Sequence, residues 1–474
     1  MGLVYFHRFA VTEFDDSATL PSEQEIIAFC PKWLLTAHAT PASHKTTLFK
    51  RSALAELNPD HESSTSDFFS QLHTVHPAHE QTFSTEYLEV INQRTFQGGL
   101  AGFIGYDLAG SPHNHPTSSS TTPQQLIAAM GDYDIFLKKE KNDWVLYGPD
   151  DQALSDLYRR IHFRLTNILS ASGDSASDQT DDSIAASNFR VLKSFRPIWS
   201  KTQYCDAFDQ IQSYLHAGDC YQVNLTQPFI AKVSGNLLDT LDDLLQLTQA
   251  PYAGYMRVGA HELLSCSPEL FLAFTGHTGQ EGNTVITRPI KGTFPRSADL
   301  HTDIENKNKL FDSEKDQSEN LMIVDLLRND LSRHAIVGSV KVPVLFEIES
   351  FAQVHHLVSE VRAQLDVGIS PLDVLIDALP GGSITGAPKK RAMEIIAELE
   401  ARPRGAYCGS FGYLNHDGSG QFNILIRTLQ KNHDELVAWA GGGITVASQV
   451  DAEYQECLDK IGAILSCVNQ YYTP

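Results

Sequence analysis

The order of helix-like and strand-like patterns between residues 195 and 474 constrains the fold of this chain most strongly. Segments with apolar residues at helical spacing are mixed with shorter runs rich in β-branched residues, but not in strict strand–helix–strand order. This pattern favours an α+β fold in which large, mainly antiparallel β-sheets pack together and are flanked by helices. The predicted helices are 202–217, 312–333, 389–400 and 452–469, and the predicted strands include 220–228, 262–274, 284–289, 409–414, 421–429 and 436–440.

Two polar stretches divide the chain into regions. Residues 111–125 and 168–187 contain few large apolar side chains. Because such segments cannot offset their ordering entropy by burial, we predict that they are exposed loops or linkers. The second stretch separates an N-terminal region, residues 1–190, from a second region, residues 195–474.

The charge balance limits the classes of partner. Acidic residues outnumber basic residues by 58 to 36, which gives a formal net charge of -22. Such a surface repels phosphate backbones and anionic lipid, so we predict neither a nucleic-acid partner nor a membrane partner. The seven cysteines include no CxxC pair, and the N-terminus lacks the pattern of a signal peptide. Together these features predict a cytoplasmic protein with reduced thiols.

Two acidic pairs stand out on the predicted helices. Asp316 and Glu319 share one helix, and Glu453 and Glu456 share another, each pair three residues apart. This spacing places both members on one helix face, where like charges repel. Two such pairs facing each other could hold Mg²⁺, which prefers oxygen ligands. The alternative is two solvated helix faces balanced by neighbouring lysines, and the spacing alone favours that alternative.

Lys291 and Glu269 are candidate catalytic residues. Lys291 follows a run of β-branched residues and precedes Gly292. If its pKa is lowered in a cleft, its amine becomes a nucleophile; the alternative is a solvated surface lysine. Glu269 follows Pro268, which breaks the strand pattern in an apolar run. A raised pKa in such a setting would suit a general acid; the alternative is a carboxylate at a strand edge.

Glycine-rich segments and an arginine indicate anion binding. The segments PGGSITGAPK and AGGGIT let backbone amides approach an anion closely, although neither matches the phosphate-loop or dinucleotide patterns, and two tight turns are the alternative. Arg427 lies in the strand-like run FNILIRTL, where an unpaired charge is rare, so we expect it to bind a carboxylate.

The adjacent histidines, His355 and His356, lie in a predicted strand. Strand geometry would point one ring inward and the other outward. No set of His or Cys ligands accompanies them, so zinc is not predicted. An inward His here is either an active-site residue or a hydrogen-bonded core residue.

In this order, the motifs of the chain resemble those of the chorismate-binding enzymes. The resemblance implies the fold of that family, with residues 1–190 forming a region like that of anthranilate synthase component I, interleaved with a chorismate-binding catalytic domain at 195–474. The matching runs are FQGGLAGFIGYDL, GDCYQVNLTQPF, SPELF, PIKGTFPR, SENLMIVDLLRND, VHHLVSEV, PGGSITGAPKKRAMEIIAELE, YCGSFGYL, IRTL, AGGGIT and EYQECLDK.

The resemblance also implies roles for individual residues. Glu319 and Glu456 correspond to the principal Mg²⁺ ligands, with Asp316 and Glu453 beside them, and His356 corresponds to the family's active-site histidine. Some relatives hold tryptophan in a pocket that here would involve Pro251, Tyr252 and Ala253. The residues corresponding to contacts with chorismate are Gly292, Thr293, Tyr407, Arg427, Gly441, Gly442, Gly443 and Lys460.

Two positions indicate which branch of the family the chain resembles. Lys291 stands where the anthranilate-forming branch carries a small residue. Gln222 stands where the isochorismate and salicylate synthases carry a lysine that activates water, and an amide cannot act as that base. The resemblance therefore implies amination of chorismate at C4, with Lys291 as nucleophile and Glu269 as acid.

The same resemblance implies a partner and a product. No segment resembles a glutaminase, so ammonia would come from a separate glutamine amidotransferase subunit. The product would be 4-amino-4-deoxychorismate, on the route to 4-aminobenzoate and folate. The alternatives are the anthranilate-forming activity and a non-catalytic, ligand-binding regulatory subunit.

Overall fold

The computed structural model describes residues 2–7, 25–39, 44–51, 60–64, 67–76, 95–109, 125–140, 143–149, 155, 158–159, 188–276, 282–351, 354–400 and 402–472. The predicted linker 168–187, and all but the last residue of the predicted linker 111–125, lie outside these ranges. No helix within them is long and apolar enough to cross a bilayer.

The described part of the chain contains twenty-three strands and nine α-helices. The strands are β1 Leu3–His7, β2 Glu25–Phe29, β3 Trp33–Ala39, β4 His44–Lys50, β5 Asp60–Ser64, β6 Gly99–Ile104, β7 Leu126–Tyr133, β8 Phe136–Glu140, β9 Asp143–Tyr147, β10 Arg190–Pro197, β11 Gln222–Ser234, β12 Tyr252–Val258, β13 His261–Ser267, β14 Leu270–Thr275, β15 Thr284–Arg288, β16 Ile290–Pro295, β17 Lys341–Ser350, β18 Val354–Gln364, β19 Gly386–Ala387, β20 Ser410–Asn415, β21 Ser419–Ile424, β22 Thr428–Asn432 and β23 Glu435–Ile444. The helices are α1 Phe68–Val75, α2 Tyr106–Ala109, α3 Lys201–Ala217, α4 Leu241–Thr248, α5 Leu300–Phe311, α6 Glu314–Ser332, α7 Pro371–Ala378, α8 Lys389–Leu399 and α9 Val450–Asn469.

The strands form two large antiparallel sheets. The first has the order β10-β11-β23-β22-β13-β12-β1-β2-β8-β9, and β19 also pairs with β11. The second has the order β16-β18-β15-β14-β21-β20-β6-β7-β3-β4-β5, and β17 also pairs with β18. Helices α6, α8 and α9 pack on strands β18, β11 and β23. The predicted α+β class with large, mainly antiparallel sheets is confirmed.

Strands from both ends of the sequence share these sheets. β1 pairs with β12, and β6 lies between β7 and β20. Gly102 in β6 lies opposite Gly412 in β20. A Cβ at Gly102 would lie 2.0 Å from the Ala129 carbonyl oxygen, so the close approach of β6 and β7 requires glycine there.

The break that Pro268 introduces into the predicted strand pattern 262–274 is present in the structure. This segment contains two strands, β13 and β14, separated by Pro268 and Glu269. Because proline cannot donate a ladder hydrogen bond, the strand ends before it and β14 continues in the other sheet. Glu269, in this connection from one sheet to the other, is buried.

Candidate active site

The two acidic pairs lie near the N-terminal ends of α6 and α9. Asp316 and Glu319 belong to the first two turns of α6, and Glu453 and Glu456 belong to the first two turns of α9. Lys315 connects the two helices, because its Nζ lies 3.3 Å from Glu453 Oε1 and 4.0 Å from Glu319 Oε1. One carboxylate of each pair, Glu319 and Glu453, therefore faces a common cation.

The oxygen atoms of this cluster suit a divalent cation. Glu319 Oε1 is buried and has no hydrogen-bond partner in the described part of the chain. Burial raises the pKa of Glu319, although Lys291 and Lys315 oppose the shift. As they stand, no three His, Cys, Asp or Glu side chains among the described residues are close enough to surround a metal ion. The donors are carboxylate oxygens, which Mg²⁺ prefers. The Lys315 ammonium lies between two of the candidate ligands, Glu319 and Glu453.

Asp316 and Glu456 have additional partners. The Ser313 hydroxyl, which caps α6, donates to Asp316 Oδ2 at 2.6 Å. Glu456 Oε1 lies 2.7 Å from Lys460 Nζ. Burial opposes ionisation of Glu456, but the neighbouring lysines outweigh it and lower its pKa. Lys460 also donates to the Gly441 carbonyl at 3.0 Å, which ties α9 to β23.

The glycines of β23 lie directly beside this cluster. Gly441, Gly442 and Gly443 pair with β11. A Cβ at Gly442 would lie 3.2 Å from Glu453 Oε2 and 3.7 Å from Glu456 Oε1, so a side chain there would fill the space above the carboxylates. The segment predicted to bind anions through its backbone thus adjoins the candidate metal ligands.

Lys291 and Glu269 are adjacent in the structure. Lys291, which is partly buried on β16, donates from Nζ to the Ser383 carbonyl at 3.4 Å. Glu269 is 7% exposed and accepts from the Ser383 hydroxyl and the Ile290 amide. Burial raises the pKa of Glu269 to about 7, and Lys291 opposes this shift. A candidate nucleophile therefore lies next to a carboxyl group that can hold a proton near neutral pH.

Ser383 was not singled out from the sequence. It lies in a short 3₁₀ turn, Gly382–Ile384, within the motif PGGSITGAPK. Its backbone contacts Lys291 and its side chain contacts Glu269, so it holds the two groups side by side. The glycines of this motif indicated anion binding, but only the fold shows that its serine contacts Lys291 and Glu269.

The structure corrects the expectation for the two adjacent histidines. His355 and His356 are both buried, at 2% and 4% exposure, because β18 is covered on both faces. His355 bonds to Asp303 at 3.1 Å and to Ser350 at 2.8 Å, which fills a structural role. The prediction that one ring points outward is therefore wrong.

His356 lies at the candidate site. Its Nδ1 is 2.9 Å from the Thr293 hydroxyl, and its ring also bonds to the Gly292 backbone. Burial and the nearby Arg427 lower the pKa of His356 to about 4. His356 is therefore neutral near pH 7 and suited to hydrogen bonding rather than to carrying charge.

Gly292 allows β16 to bend between Lys291 and Thr293. It has a φ of +75°, and the register of β16 with β18 shifts at this point. A Cβ at Gly292 would lie 2.8 Å from Asp316 Cγ. The bulge thus lets α6 approach β16 closely and places Lys291 near the carboxylates of α6.

Arg427 does not lie inside a strand, so the prediction that its charge falls within a strand is wrong. It occupies the bend between β21 and β22 with a φ of +50°. Burial lowers the pKa of its guanidinium. The ion pairs of the described residues include no carboxylate partner for Arg427. A partly buried guanidinium without such a partner remains a candidate for binding a carboxylate.

Tyr407 and the tryptophan-pocket residues are mainly buried. Tyr407 stacks on Trp439 with ring centroids 5.8 Å apart, and burial raises its pKa well above the usual value. Tyr252 and Ala253 lie in β12, and Pro251 immediately precedes that strand. The roles suggested for these residues remain predictions.

A buried ion pair beneath the site was also not predicted. Arg404 is 1% exposed and contacts Glu400 through Nε at 2.8 Å and Nη2 at 2.7 Å. It also donates to the carbonyls of Ile384 and Asn224, both at 2.9 Å. The guanidinium lies 4.5 Å from the centre of the Tyr106 ring. The spacing of Glu400 and Arg404 is common on helix surfaces, so no local signal indicates that the pair is buried.

Comparison with known proteins places these residues in a family context. The family model described as chorismate binding enzyme matches residues 31–466. Aminodeoxychorismate synthase component 1 from Escherichia coli is 41% identical over 370 residues, which cover 78% of this chain and 77% of that protein. Anthranilate synthase component 1 from Thermus thermophilus is 38% identical over 274 residues, which cover 58% of each chain.

A solved structure agrees with the architecture. The crystal structure of anthranilate synthase component I from Streptococcus pneumoniae matches with a TM-score of 0.70 and 25% sequence identity. The match covers 97% of this chain and 95% of that chain. The similarity therefore includes both sheets and the elements that carry the candidate site.

Proposed function

The chain belongs to the family of chorismate-binding enzymes, and on this premise we propose that it replaces the C4 hydroxyl of chorismate with an amino group. This is the activity that the name of the relative aminodeoxychorismate synthase component 1 describes. The proposed product would lead to 4-aminobenzoate and folate. The observation that carries the proposal is the position of Lys291. Its amine is partly buried beside Glu269 and near the helix carboxylates.

The binding of substrate follows from the charges of the site. Chorismate carries two carboxylates, and Arg427 offers a guanidinium without a carboxylate partner among the described ion pairs. Glu319 and Glu456, with Asp316 and Glu453, would hold Mg²⁺. When bound, the ion supplies positive charge for a substrate carboxylate. The amides of the β23 glycines, with Gly292, Thr293, Tyr407 and Lys460, complete the proposed contacts.

The reaction follows from the pairing of Lys291 with Glu269. The uncharged Lys291 amine forms a bond to C2 of the ring while the C4–O bond breaks, and Glu269 gives its proton to the departing hydroxyl, which leaves as water. The resulting secondary ammonium gives a proton to the Glu269 carboxylate. Ammonia then forms a bond to C4 while Lys291 takes that proton from Glu269 and leaves C2 as a free amine. The new ammonium at C4 finally returns a proton to Glu269. The overall exchange is chorismate plus ammonia for 4-amino-4-deoxychorismate plus water.

Product analysis tests this proposal. The full chain, incubated with chorismate, MgCl₂ and an ammonium salt, should yield 4-amino-4-deoxychorismate by mass spectrometry. The rival activity rests on relatives named anthranilate synthase component 1. Fluorescent anthranilate in the same mixture would support that rival. Absence of any turnover, with or without an amidotransferase, would support a non-catalytic role.

The proposed partner is a glutamine amidotransferase that supplies ammonia. The relatives are named as component 1, which fits an enzyme that acts with a second component. Adding a glutamine amidotransferase and glutamine in place of the ammonium salt should sustain the same product. Failure with glutamine but success with ammonium would contradict the partner and leave the chemistry in place.

Replacing Glu269 with glutamine should lower kcat on the order of 10²-fold, because the departing hydroxyl loses its proton donor. Burial raises the pKa of Glu269 to about 7. The acid is therefore protonated below pH 7 and loses its proton as the pH rises through that value. At a constant concentration of free ammonia, kcat of the wild-type enzyme should fall above pH 7, and Glu269→Gln should lack this fall. An unchanged pH profile in the variant would contradict the acid role.

A further inference from the structure

Lys315 reaches from the surface into the cluster of buried carboxylates. It lies in the first turn of α6, and its side chain is 48% exposed. The two carboxylates that it contacts, Glu319 and Glu453, are only 14% and 3% exposed. The ammonium thus approaches these carboxylates from the solvent side of the site.

The contacts of Glu453 leave little room for a second cation. Its Oε1 accepts from the Ser448 hydroxyl at 2.7 Å and from Lys315 at 3.3 Å. A divalent cation bound to Glu319 and Glu453 would lie within a few ångströms of this ammonium, where the two positive charges repel strongly. Binding of the metal by both carboxylates therefore requires Lys315 to move.

The side chain of Lys315 is able to make this movement. Its flexible stem carries a charge that is well hydrated in water, and nearly half of the side chain already contacts solvent. By contrast, Glu319 and Glu453 are held on two packed helices and cannot follow it into solvent. The exchange of one cation for another can take place with little change in the surrounding fold.

We propose that Lys315 is an internal competitor of Mg²⁺ for Glu319 and Glu453, and that it sets the affinity of the metal site. In the metal-free site the ammonium neutralises the two carboxylates. When the metal binds, the ammonium moves to solvent. This inference rests on the metal ligands assigned in the proposed function. It adds a residue that opposes metal binding, whereas the carboxylates of the site favour it.

Titration calorimetry of the full-length protein with MgCl₂, without chorismate or ammonia, tests the competition. Lys315→Gln removes the competing charge and keeps a polar side chain of similar length. We expect its dissociation constant for Mg²⁺ to be about five- to tenfold lower than that of the wild type. The substitution removes a partly exposed ion pair that stabilises only the metal-free state.

In EDTA the variant should melt at a lower temperature than the wild type, because Lys315 no longer links α6 to α9. Saturating MgCl₂ should remove this difference.

Lys309→Gln provides a matched control. Lys309 lies on α5, is 61% exposed and pairs with Glu305, so the substitution removes the same charge at the surface. Its Mg²⁺ affinity should equal that of the wild type. Equal tightening in both variants, or an unchanged or weaker affinity in Lys315→Gln, would overturn the competition.

The wild-type titration separates this inference from the proposed function. If the wild type takes up no Mg²⁺, both the metal assignment and the competition are wrong. If the wild type binds Mg²⁺ and the affinity of Lys315→Gln is unchanged, only the competition is wrong. The identity of the aminated product is measured separately and does not depend on either result.

Discussion

Replacing Lys291 with alanine is expected to lower the rate of C4 amination on the order of 10³-fold, because the ring loses the nucleophile that activates C4. The Nζ atom of Lys291 is 3.4 Å from the Ser383 carbonyl and lies near Glu269, which is placed to protonate the departing hydroxyl. Formation of 4-amino-4-deoxychorismate, followed by mass spectrometry at saturating ammonia, measures the effect. An alanine variant that aminates C4 at the wild-type rate would refute the covalent step.

Lys291→Arg distinguishes a nucleophile from a simple positive charge. Arginine keeps the charge but is not deprotonated in proteins, so it cannot attack the ring. If Lys291 acts as a nucleophile, the arginine variant should be as inactive as the alanine variant. Recovery of activity with arginine would show an electrostatic role instead.

Acid quenching of the wild-type reaction should also trap the covalent intermediate. A fraction of the chain should then carry on Lys291 the mass of chorismate less one water.

The features predicted correctly depend on local sequence. The spacing of Asp316 with Glu319, and of Glu453 with Glu456, is set by the helix period, which is a property of a few neighbouring residues. The break of the strand pattern at Pro268 follows from proline's missing N–H, and the structure has two strands there. Local sequence therefore indicated these elements, the faces of the helices and this break, but not the bend at Arg427.

The features that were missed depend on contacts between distant segments. Ser383 and Arg404 have ordinary local sequences, and their roles arise because β11, α8 and the 3₁₀ turn are packed together. Arg427 was selected because its charge falls within a strand-like run, but it lies in a bend with positive φ. His355 was expected to alternate with His356, but the strand is covered on both faces. Burial on two faces cannot be read from alternation, since alternation assumes that one face is open to water.

Arg404→Met is expected to lower the free energy of unfolding by roughly 3–5 kcal/mol, because it leaves the buried Glu400 carboxylate without its guanidinium partner. Glu400 is 3% exposed and, among the described residues, would keep its bonds from the Thr226 backbone and hydroxyl, at 3.1 and 2.7 Å. The carbonyls of Ile384 and Asn224 would also lose a donor. Urea denaturation followed by tryptophan fluorescence, at a fixed metal concentration, measures the change.

The double variant Arg404→Met, Glu400→Gln should recover part of this loss. The glutamine removes the unpaired charge, so the two substitutions should be clearly non-additive in a double-mutant cycle. Ile384 precedes Thr385 and follows Ser383, so loss of the Arg404 bond should also loosen the turn that holds Lys291 beside Glu269. A single variant with wild-type stability would show that Glu400 is adequately solvated without Arg404. A destabilised variant whose kcat at low temperature matches the wild type would show that the ion pair supports the fold without positioning the turn.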